Sequence, residues 1–404
     1  MPKLIIITTL TLWSMGKGHG GPAFTQTVKK YIDEGWEVFL ISDEPSNCDY
    51  PYLDAAHNIF LSATPFKKYG GIPKLGLAFR YLDHLLMNMK FVQCGRKILA
   101  GNKNDTVLYA YEIFGVKACK VLSKMFSVPL VTRFQGTILS QYKNTWQNHI
   151  KRFPHYQALA EKSDLVIMTD DGTLGNKVLG MLENTSPVLF LRNGLELMER
   201  SIPTMKSEFN RSAFRARHGI ADNETVFLTV SRLTGWKKVE RAIDGFAEAC
   251  KLGVAGKLVI VGDGDSRPFL EQRAKDLCVF DNVLFAGSVA HDEVYDYMMA
   301  SDVFLSLYDL SNVGNPLLEA MTLGKCIVTL DVGDTCSLIH NRENGILLTL
   351  ENLHNLGAVM TELAEDVPLR NSLGKAASDY AQDNFQTWKE RMDKEFQAVS
   401  SLLT

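Results

Sequence analysis

The fold of this chain is indicated most clearly by the residues at positions 309–321, DLSNVGNPLLEAM. The apolar run before them, 303–306, is typical of a buried strand. After Pro316 the apolar residues have helical spacing, and proline suits the first turn of a helix. The pattern is therefore strand, polar glycine-containing loop and helix. In an open parallel sheet, ligands bind at such turns.

The same stretch contains groups that can hold a ligand. Free backbone N–H groups at a loop and helix start bind hydroxyls or phosphate. Glu319 lies on the first turn of the predicted helix, and a carboxylate is a good acceptor for two vicinal hydroxyls. The alternative is that Glu319 only complements the positive end of the helix dipole.

Length and composition favour a two-domain soluble protein. The chain has 404 residues, 46% of them hydrophobic and 22% charged. A net charge of -3 argues against a nucleic-acid partner. The seven cysteines form no Cys-x-x-Cys pair, which indicates free thiols in a reducing cytoplasm. The apolar segment 4–10 lacks the cleavage pattern of a signal peptide and is expected to be the first buried strand.

Short β-branched runs alternate with helical stretches along the whole chain. We expect strands at 4–10, 38–42, 59–62, 107–111, 130–134, 165–169, 188–191, 225–230, 258–261, 283–286, 303–306, 326–329 and 346–348. These are too many strands for one sheet of usual size, so we expect an α/β protein with two Rossmann-like parallel-sheet domains. The expected boundaries are 1–195, 196–385 and a final amphipathic helix at 386–404 that packs back on the first domain.

An ordered set of motifs carries a family resemblance. In the second half these are VSRLTGWKK at 230–238, LVIVGDG at 258–264, VLFAG at 283–287, the stretch 309–321 and ENGIL at 343–347. The first half adds GHGG at 18–21, RFQGT at 133–137 and NG at 193–194. Together they resemble the retaining nucleotide-sugar glycosyltransferases of family 4. The resemblance implies a GT-B fold, in which two Rossmann-like domains face a central cleft.

The resemblance implies a donor site in the second domain. Arg232, Lys237 and Glu319 are the expected catalytic residues, with Glu319 holding the donor ribose. As the glycosidic bond breaks, the nucleotide diphosphate gains negative charge, and nearby cations lower the barrier. The alternative without a function for Arg232 and Lys237 is that they belong to an ordinary solvated basic turn. The other expected donor-binding residues are Gly20, Gly21, Gly262, Asp263, Ser311, Asn312, Val313, Gly314 and Asn315.

The resemblance places the acceptor in the first domain. Gln135, His19 and Asn193 are the expected acceptor-side residues. Members of this family typically need no metal ion, because protein cations neutralise the leaving group. We therefore expect a nucleotide-sugar co-substrate and no metal cofactor.

Two positions depart from the family pattern. The first of its paired glutamates would stand eight residues before Glu319, where this chain has Ser311. A histidine often precedes the glycine at the position of Gln135, and glutamine cannot titrate. At Ser311 we expect altered recognition of the donor sugar rather than an inactive enzyme. For Gln135, the alternative to a place near the reacting sugar is that it only caps a strand end.

Residues 61–103 contain eight basic residues and one acid, interleaved with apolar residues near helical spacing. Such a surface suits anionic lipid or a lipid-linked acceptor at the inner face of a membrane. The alternative is an ordinary domain helix with a solvated basic face.

The sequence therefore predicts a retaining glycosyltransferase that moves a sugar from a UDP- or GDP-sugar to a hydroxyl acceptor, in polysaccharide or glycoconjugate biosynthesis. The acceptor is a sugar, a lipid-linked intermediate or a small molecule. Two alternatives stay open: a GT-B epimerase or phosphorylase, and a non-catalytic nucleotide-sugar-binding protein, which the departure at Ser311 suggests. The donor base, the acceptor, the linkage and the oligomeric state are not indicated by the sequence.

Overall fold

The computed structural model describes residues 1–9, 22–43, 51–101 and 103–403. The chain divides into two compact units. The first comprises Met1–Asp170, Leu174–Asn193 and Trp388–Thr404, and the second comprises Asp171–Thr173 and Gly194–Thr387. The main division therefore falls two residues before the boundary expected at 195, and the first unit takes up the chain again at Trp388 rather than at 386.

The first unit is built on a parallel sheet. Its strands within the described ranges are β1 (Lys3–Ile7), β2 (Glu37–Ser42), β3 (His57–Phe60), β4 (Thr106–Tyr111), β5 (Leu130–Phe134), β6 (Leu165–Thr169) and β7 (Val188–Leu191). Their order is β3-β2-β1-β4-β5-β6-β7, and every pair is parallel. The third strand begins two residues earlier than predicted, at His57 rather than 59.

Helices cover both faces of this sheet. They are α1 (Pro22–Asp33), α2 (Pro51–Asp54), α3 (Gly76–Gly101), α4 (Val116–Phe126), α5 (Trp146–Lys151), α6 (Phe153–Ala160), α7 (Gly175–Met181) and, from the end of the chain, α16 (Trp388–Ser400). Leu4 and Ile6 of β1 face the core under α1 and α16, while Ile5 and Ile7 face the core under α3 and α4. Burial on both faces explains why the strands are continuously apolar.

The second unit repeats this plan. Its strands, as far as the structure describes the chain, are β8 (Thr225–Val230), β9 (Gly256–Val261), β10 (Val283–Gly287), β11 (Val303–Ser306), β12 (Cys326–Leu330) and β13 (Ile346–Leu348). The order is β10-β9-β8-β11-β12-β13, again with parallel pairs. The helices are α8 (Ile202–Glu208), α9 (Arg211–Arg217), α10 (Glu240–Lys251), α11 (Arg267–Asp276), α12 (His291–Ala300), α13 (Asn315–Thr322), α14 (Leu356–Glu365) and α15 (Val367–Asn384).

Each sheet has one point at which the strand order reverses. In the first unit it lies between β1 and β4, and in the second between β8 and β11. The crossovers leave toward opposite sides there, so a crevice opens at the carboxyl ends of the two central strands. These two places are where the fold favours a ligand. The expected fold class, two Rossmann-like parallel sheets, is confirmed.

The last helix is bound to the first unit through buried charge. Arg133 of β5 and Arg391 and Glu395 of α16 are all fully buried. Glu395 accepts a hydrogen bond from the Tyr109 hydroxyl at 2.6 Å and pairs with both arginines. These cations hold the pKa of Glu395 below its usual range, against the opposing effect of burial. Removal of one partner would leave an uncompensated charge inside the unit.

Candidate active site

Two cations follow β8 at the reversal point of the second sheet. Arg232 comes shortly after the strand, and Lys237 ends the 3-10 turn Gly235–Lys237. Within the described part of the chain, neither side chain forms an ion pair with a carboxylate, whereas the adjacent Lys238 contacts Glu240 and Asp309. Two unpaired cations at the carboxyl end of a central strand form a site that attracts an anion.

The Lys237 ammonium group lies against two aromatic rings. Its nitrogen is 3.8 Å from the ring centroid of Tyr308, in the loop after β11, and 4.2 Å from that of Trp236. Burial, and then the neighbouring Arg232, lower the pKa of Lys237 to about 7. An anion bound here would favour the charged ammonium form of Lys237 and would offset the free-energy cost of desolvating it.

The loop after β11 is held by Asn312. This side chain is 1% exposed, and its Oδ1 accepts hydrogen bonds from Ser306 Oγ and from the Tyr308 N–H, both at 2.9 Å. Its Nδ2 donates to the Leu330 carbonyl at 3.1 Å. The Asn312 side chain therefore fixes the shape of the loop. The expected contact of Asn312 with the nucleotide-sugar donor stays a prediction. Because the side chain is already hydrogen-bonded, this contact would be made by the backbone.

Hydrogen bonds inside the loop also engage Ser311 and its neighbours. Ser311 Oγ donates to the carbonyl of Asp171, a residue of the same unit, and accepts from the Val313 N–H at 3.1 Å. The Gly314 N–H donates to the Asn312 carbonyl at 2.9 Å. This N–H therefore forms a hydrogen bond within the tight turn at 312–314, and the expected donor contact of Gly314 stays a prediction. The side chain of Val313 is buried in the core.

Glu319 lies in α13, which begins at Asn315, and is 3% exposed. Its Oε1 is 3.5 Å from His291 Nε2, and that nitrogen is 2.8 Å from the Tyr295 hydroxyl. Burial, and then the nearby Glu196, raise the pKa of Glu319 to about 8. A neutral carboxyl can both donate and accept hydrogen bonds, so Glu319 can serve paired hydroxyls in either protonation state.

The glycines after β9 are required by packing. A Cβ on Gly262 would lie 1.9 Å from the Ser231 carbonyl oxygen, and one on Gly264 would lie 2.4 Å from that of Leu233. The turn after β9 therefore presses directly against the segment that carries Arg232. Asp263 accepts from the Gly264 N–H at 2.7 Å and pairs with Arg267 at 3.1 Å. A donor contact at Gly262 or Asp263 stays a prediction.

In the first unit, Gln135 is fixed by two hydrogen bonds. Its Nε2 donates to the Tyr111 hydroxyl at 2.6 Å, and its backbone N–H donates to Glu112 Oε1 at 2.7 Å. Asn193 follows β7, which is two strands beyond β5 in the sheet. The expected acceptor-side roles of Gln135 and Asn193 stay predictions.

His19, Gly20 and Gly21 lie outside the described residues, so their expected roles stay predictions. Within the ranges that the structure covers, no group of three or more His, Cys, Asp or Glu side chains is arranged to hold a metal ion. In those ranges, too, no helix combines the length and the apolar character that a membrane span needs.

The family model for glycosyl transferases group 1 matches residues 210–380, which contain β8 to β13 and the two cations. A relative from Bacillus anthracis, N-acetyl-alpha-D-glucosaminyl L-malate synthase, is 23% identical over 381 residues, covering 92% of this chain and 91% of that protein. Residues 210–380, most of the second unit, thus match the glycosyl transferases group 1.

A second relative of this glycosyltransferase is alpha-monoglucosyldiacylglycerol synthase from Streptococcus pneumoniae, 29% identical over 48% of this chain and 43% of that protein. Among solved structures, a sucrose-phosphate synthase from Thermosynechococcus elongatus aligns with a TM-score of 0.77 and 18% identity, covering 100% of this chain and 99% of that chain. The Anabaena protein HepE, solved with UDP, aligns with a TM-score of 0.71 and 18% identity, covering 99% of this chain and 100% of that chain. These likenesses confirm the GT-B fold of the glycosyltransferase.

Four residues near the candidate site of this glycosyltransferase were not expected from the sequence: Glu112, Glu196, His291 and Tyr295. His291 opens the helix after the VLFAG motif, and Glu112 directly follows a predicted strand. Both positions are polar residues past strand ends, which is the signal that could have found them. Glu196 and Tyr295 approach Glu319 only through the packing of α12 and the linker after β7, and no local pattern marks them.

Proposed function

We propose that this protein is a retaining glycosyltransferase that transfers a sugar from a UDP- or GDP-sugar to a hydroxyl acceptor, in the synthesis of a polysaccharide or glycoconjugate. The observation that carries the proposal is the pair Arg232 and Lys237, unpaired cations at the reversal point of the second sheet. A diphosphate supplies the anion that this pair lacks.

The chemistry needs these cations at one step. The bond between the anomeric carbon and the diphosphate oxygen breaks, and the acceptor oxygen forms a new bond to the same face of that carbon. The acceptor proton passes to the departing diphosphate. Arg232 and Lys237 would stabilise the negative charge that develops on this leaving group. Each well-placed cation or hydrogen-bond donor lowers the barrier by about 3 kcal/mol.

We propose that no metal ion is required, because Arg232 and Lys237 can neutralise the diphosphate themselves. Arginine can bind two phosphate oxygens with its forked guanidinium, and lysine adds a compact charge. The test is transfer activity in the presence of EDTA. Loss of activity that Mg²⁺ or Mn²⁺ restores would contradict metal independence.

The first experiment is a thermal-stability series with UDP, GDP, ADP and TDP. UDP and UDP-glucose come first because the structural relative HepE was solved with both, and GDP comes next because a mannosyltransferase relative is named as GDP-mannose-dependent. A ligand at a hundredfold over its dissociation constant stabilises a protein by about 2.7 kcal/mol. We expect one base to stand out and Arg232→Ala to remove the shift, whereas Arg342→Ala, on an exposed arginine paired with Glu362, should not.

The retaining outcome has its own test. NMR of the first product formed from an α-linked donor should show an α-anomer, and a β-anomer would contradict the proposal. Turnover that depends on phosphate would instead favour a phosphorylase. Binding of a nucleotide sugar without transfer to any acceptor would favour the non-catalytic alternative.

Recognition of the donor sugar is proposed to differ from the family pattern at Ser311. The Ser311 hydroxyl is engaged by Asp171 and Val313, so it offers the sugar neither a negative charge nor an uncommitted donor. Comparison of UDP-glucose, UDP-galactose and UDP-N-acetylglucosamine with the wild type and Ser311→Ala tests this. Identical donor preference in both proteins, with unchanged turnover, would contradict a role for Ser311.

We also propose a cytoplasmic location with peripheral contact to the inner face of the membrane through residues 61–103. Leu82, Leu85 and Met89 are exposed on one face of α3, and Arg96 continues that face. A basic helix with exposed apolar residues suits an anionic lipid surface. Pelleting with phosphatidylglycerol vesicles at two salt concentrations should be weakened by Arg96→Glu with Lys97→Glu and not by Lys251→Glu with Lys375→Glu. Absence of pelleting at low salt would contradict the contact.

A further inference from the structure

Glu112 has a backbone conformation that side chains rarely adopt. Its φ is 65° and its ψ is -176°, a region open mainly to glycine. Two hydrogen bonds hold it there: its N–H donates to the Arg133 carbonyl at 2.8 Å, and its Oε1 accepts from the Gln135 N–H at 2.7 Å. Strain of this kind persists where the surrounding structure fixes it, and it is concentrated at functional sites.

The position of Glu112 in the sheet is the one that favours a ligand. It directly follows β4, and β4 and β1 are the two strands that flank the reversal point of the first sheet. A carboxylate at the carboxyl end of this strand therefore stands at the crevice of the first unit. In the second unit the counterpart of β4 is β11, and Arg232 and Lys237 follow β8, the other strand that flanks the reversal point.

Gln135, at the end of the neighbouring β5, is oriented by a buried partner. Because its Nε2 donates to the Tyr111 hydroxyl, its amide oxygen Oε1 is the atom left to accept a further hydrogen bond. The Tyr111 ring in turn lies 4.8 Å from the guanidinium carbon of the fully buried Arg133. Neither partner is free to turn, so the orientation of the Gln135 amide is built into the core.

From this arrangement we infer that Glu112 and Gln135 bind neighbouring hydroxyls of a neutral, polyhydroxylated acceptor, a sugar or a polyol. Both side chains offer oxygen atoms, which accept hydrogen bonds from hydroxyl groups. The inference rests on the proposed function, because it identifies the acceptor of that reaction. Glu112 is a binding and positioning residue here: the proton of the reacting hydroxyl leaves with the diphosphate.

The same chemistry disfavours an acidic acceptor group at this point. A carboxylate or phosphate beside Glu112 would meet like charge in a partly desolvated crevice. The relative from Bacillus anthracis offers a contrast, since its name gives as the product a glucosaminyl derivative of L-malate, a hydroxy acid. Our inference predicts that this chain departs from that relative in acceptor charge.

The experiment measures transfer to methyl α-glucoside, methyl N-acetylglucosaminide, glycerol and L-malate, with the donor that the thermal series identifies. We expect transfer to at least one neutral probe and none to malate. Glu112→Gln should lower kcat/KM about ten- to hundredfold, chiefly through KM, because a hydrogen bond to a charged group is lost. Glu112→Ala should lower it further.

Glu183 provides a matched control in the same unit. It too has a positive φ, 53°, but it precedes β7 and so lies at the opposite, amino-terminal edge of the sheet. Glu183→Gln should leave acceptor kinetics unchanged. Glu112→Gly, which relieves the strained backbone, should melt no lower than Glu112→Gln and yet transfer no better than Glu112→Ala.

Two outcomes overturn the inference while the proposed function stands. One is wild-type kinetics in Glu112→Gln with every probe. The other is transfer to malate and to none of the neutral probes. In both cases the nucleotide-induced thermal shift, which is proposed to depend on Arg232 and Lys237 and not on Glu112, is retained in the Glu112 variants. Loss of that shift in the wild type would instead refute the proposed function.

Discussion

The Lys237 nitrogen lies 3.8 Å from the ring centroid of Tyr308, so a cation that follows β8 rests on an aromatic ring that follows β11. The Tyr308 hydroxyl donates to the carbonyl of Val230, the last residue of β8, at 3.0 Å. These contacts tie the two sides of the second sheet's reversal point together. Burial at this place, and then Arg232, lower the pKa of Lys237 to about 7, which has a measurable consequence.

Nucleotide affinity should fall with rising pH because of Lys237. Its pKa is lowered to about 7 in the free protein, and a bound diphosphate favours the charged ammonium, so binding takes up a proton. Between pH 7.5 and 9, where the diphosphate is fully ionised, the dissociation constant should rise by up to about tenfold per pH unit. Calorimetry over this range measures it.

Lys237→Arg is the matched control, since arginine stays charged throughout this range. Its affinity should be nearly independent of pH between 7.5 and 9. An equal slope in both proteins would show that another group titrates.

Glu319 should make the second unit less stable as the pH rises. Its pKa is raised from 4.5 to about 8 in the folded protein, so folding binds a proton between these values. The protein is therefore most stable at or below pH 4.5 with respect to this group, and it loses that stability as the pH rises through 8. Glu319→Gln, a neutral side chain of the same shape, removes the effect.

The measurement is the thermal midpoint of both proteins at pH 5.5 and pH 8. The variant should gain on the wild type at pH 8, by about 2 to 4 °C for each kcal/mol. Glu343→Gln, an exposed change in the same unit, should give parallel shifts at both pH values. A constant difference between Glu319→Gln and the wild type would contradict the raised pKa.

Asn312 should matter for stability more than Ser311 does. Asn312→Ala removes three hydrogen bonds and leaves buried partners unpaired, which costs about 2 to 4 kcal/mol. Ser311→Ala removes two bonds at a half-buried position and should cost about 1 kcal/mol. Urea unfolding compares them. Equal destabilisation would show that the Asn312 bonds do not hold the loop.

Glu395 and Asp393 of α16 allow a test of burial on one helix. Glu395→Ala leaves Arg133 and Arg391 buried without their carboxylate, which should cost about 3 to 5 kcal/mol. Asp393 pairs with Lys30 near the surface, and Asp393→Ala should cost at most about 1 kcal/mol. Similar losses of stability in the two variants would mean that the buried charges are satisfied in another way.

Much of the fold follows from local sequence. Runs such as 107–111 and 165–169 are apolar because their strands are buried on both faces, and the alternation with helices predicts parallel sheets. The prediction for β3 was displaced by two residues, since this edge strand is only partly buried and its apolar pattern is weak. The amphipathic character of the last helix, α16, was equally visible.

The candidate site was predicted less completely, for physical reasons. Arg232, Lys237 and Glu319 stand in motifs, so their positions could be named from the sequence. At Gly262 a side chain would collide with the Ser231 carbonyl, and no local pattern encodes this approach between two separate segments of the chain. The strained backbone of Glu112 depends in the same way on Gln135 and Arg133, which come later in the chain.

The buried hydrogen bond between Tyr109 and Glu395 joins residues 286 positions apart, so it cannot form until long after Tyr109 has been synthesised. At about 5 to 20 residues per second on the ribosome, roughly 15 to 60 seconds separate the synthesis of these two residues. During that interval the whole second unit is translated. Arg133 has not yet gained Glu395 as its partner, and the face of the first sheet that α16 will cover is exposed to water. The nascent chain should therefore need protection by a chaperone at this face. A fragment ending at Asn193 should fold only when the peptide 388–403 is supplied to it.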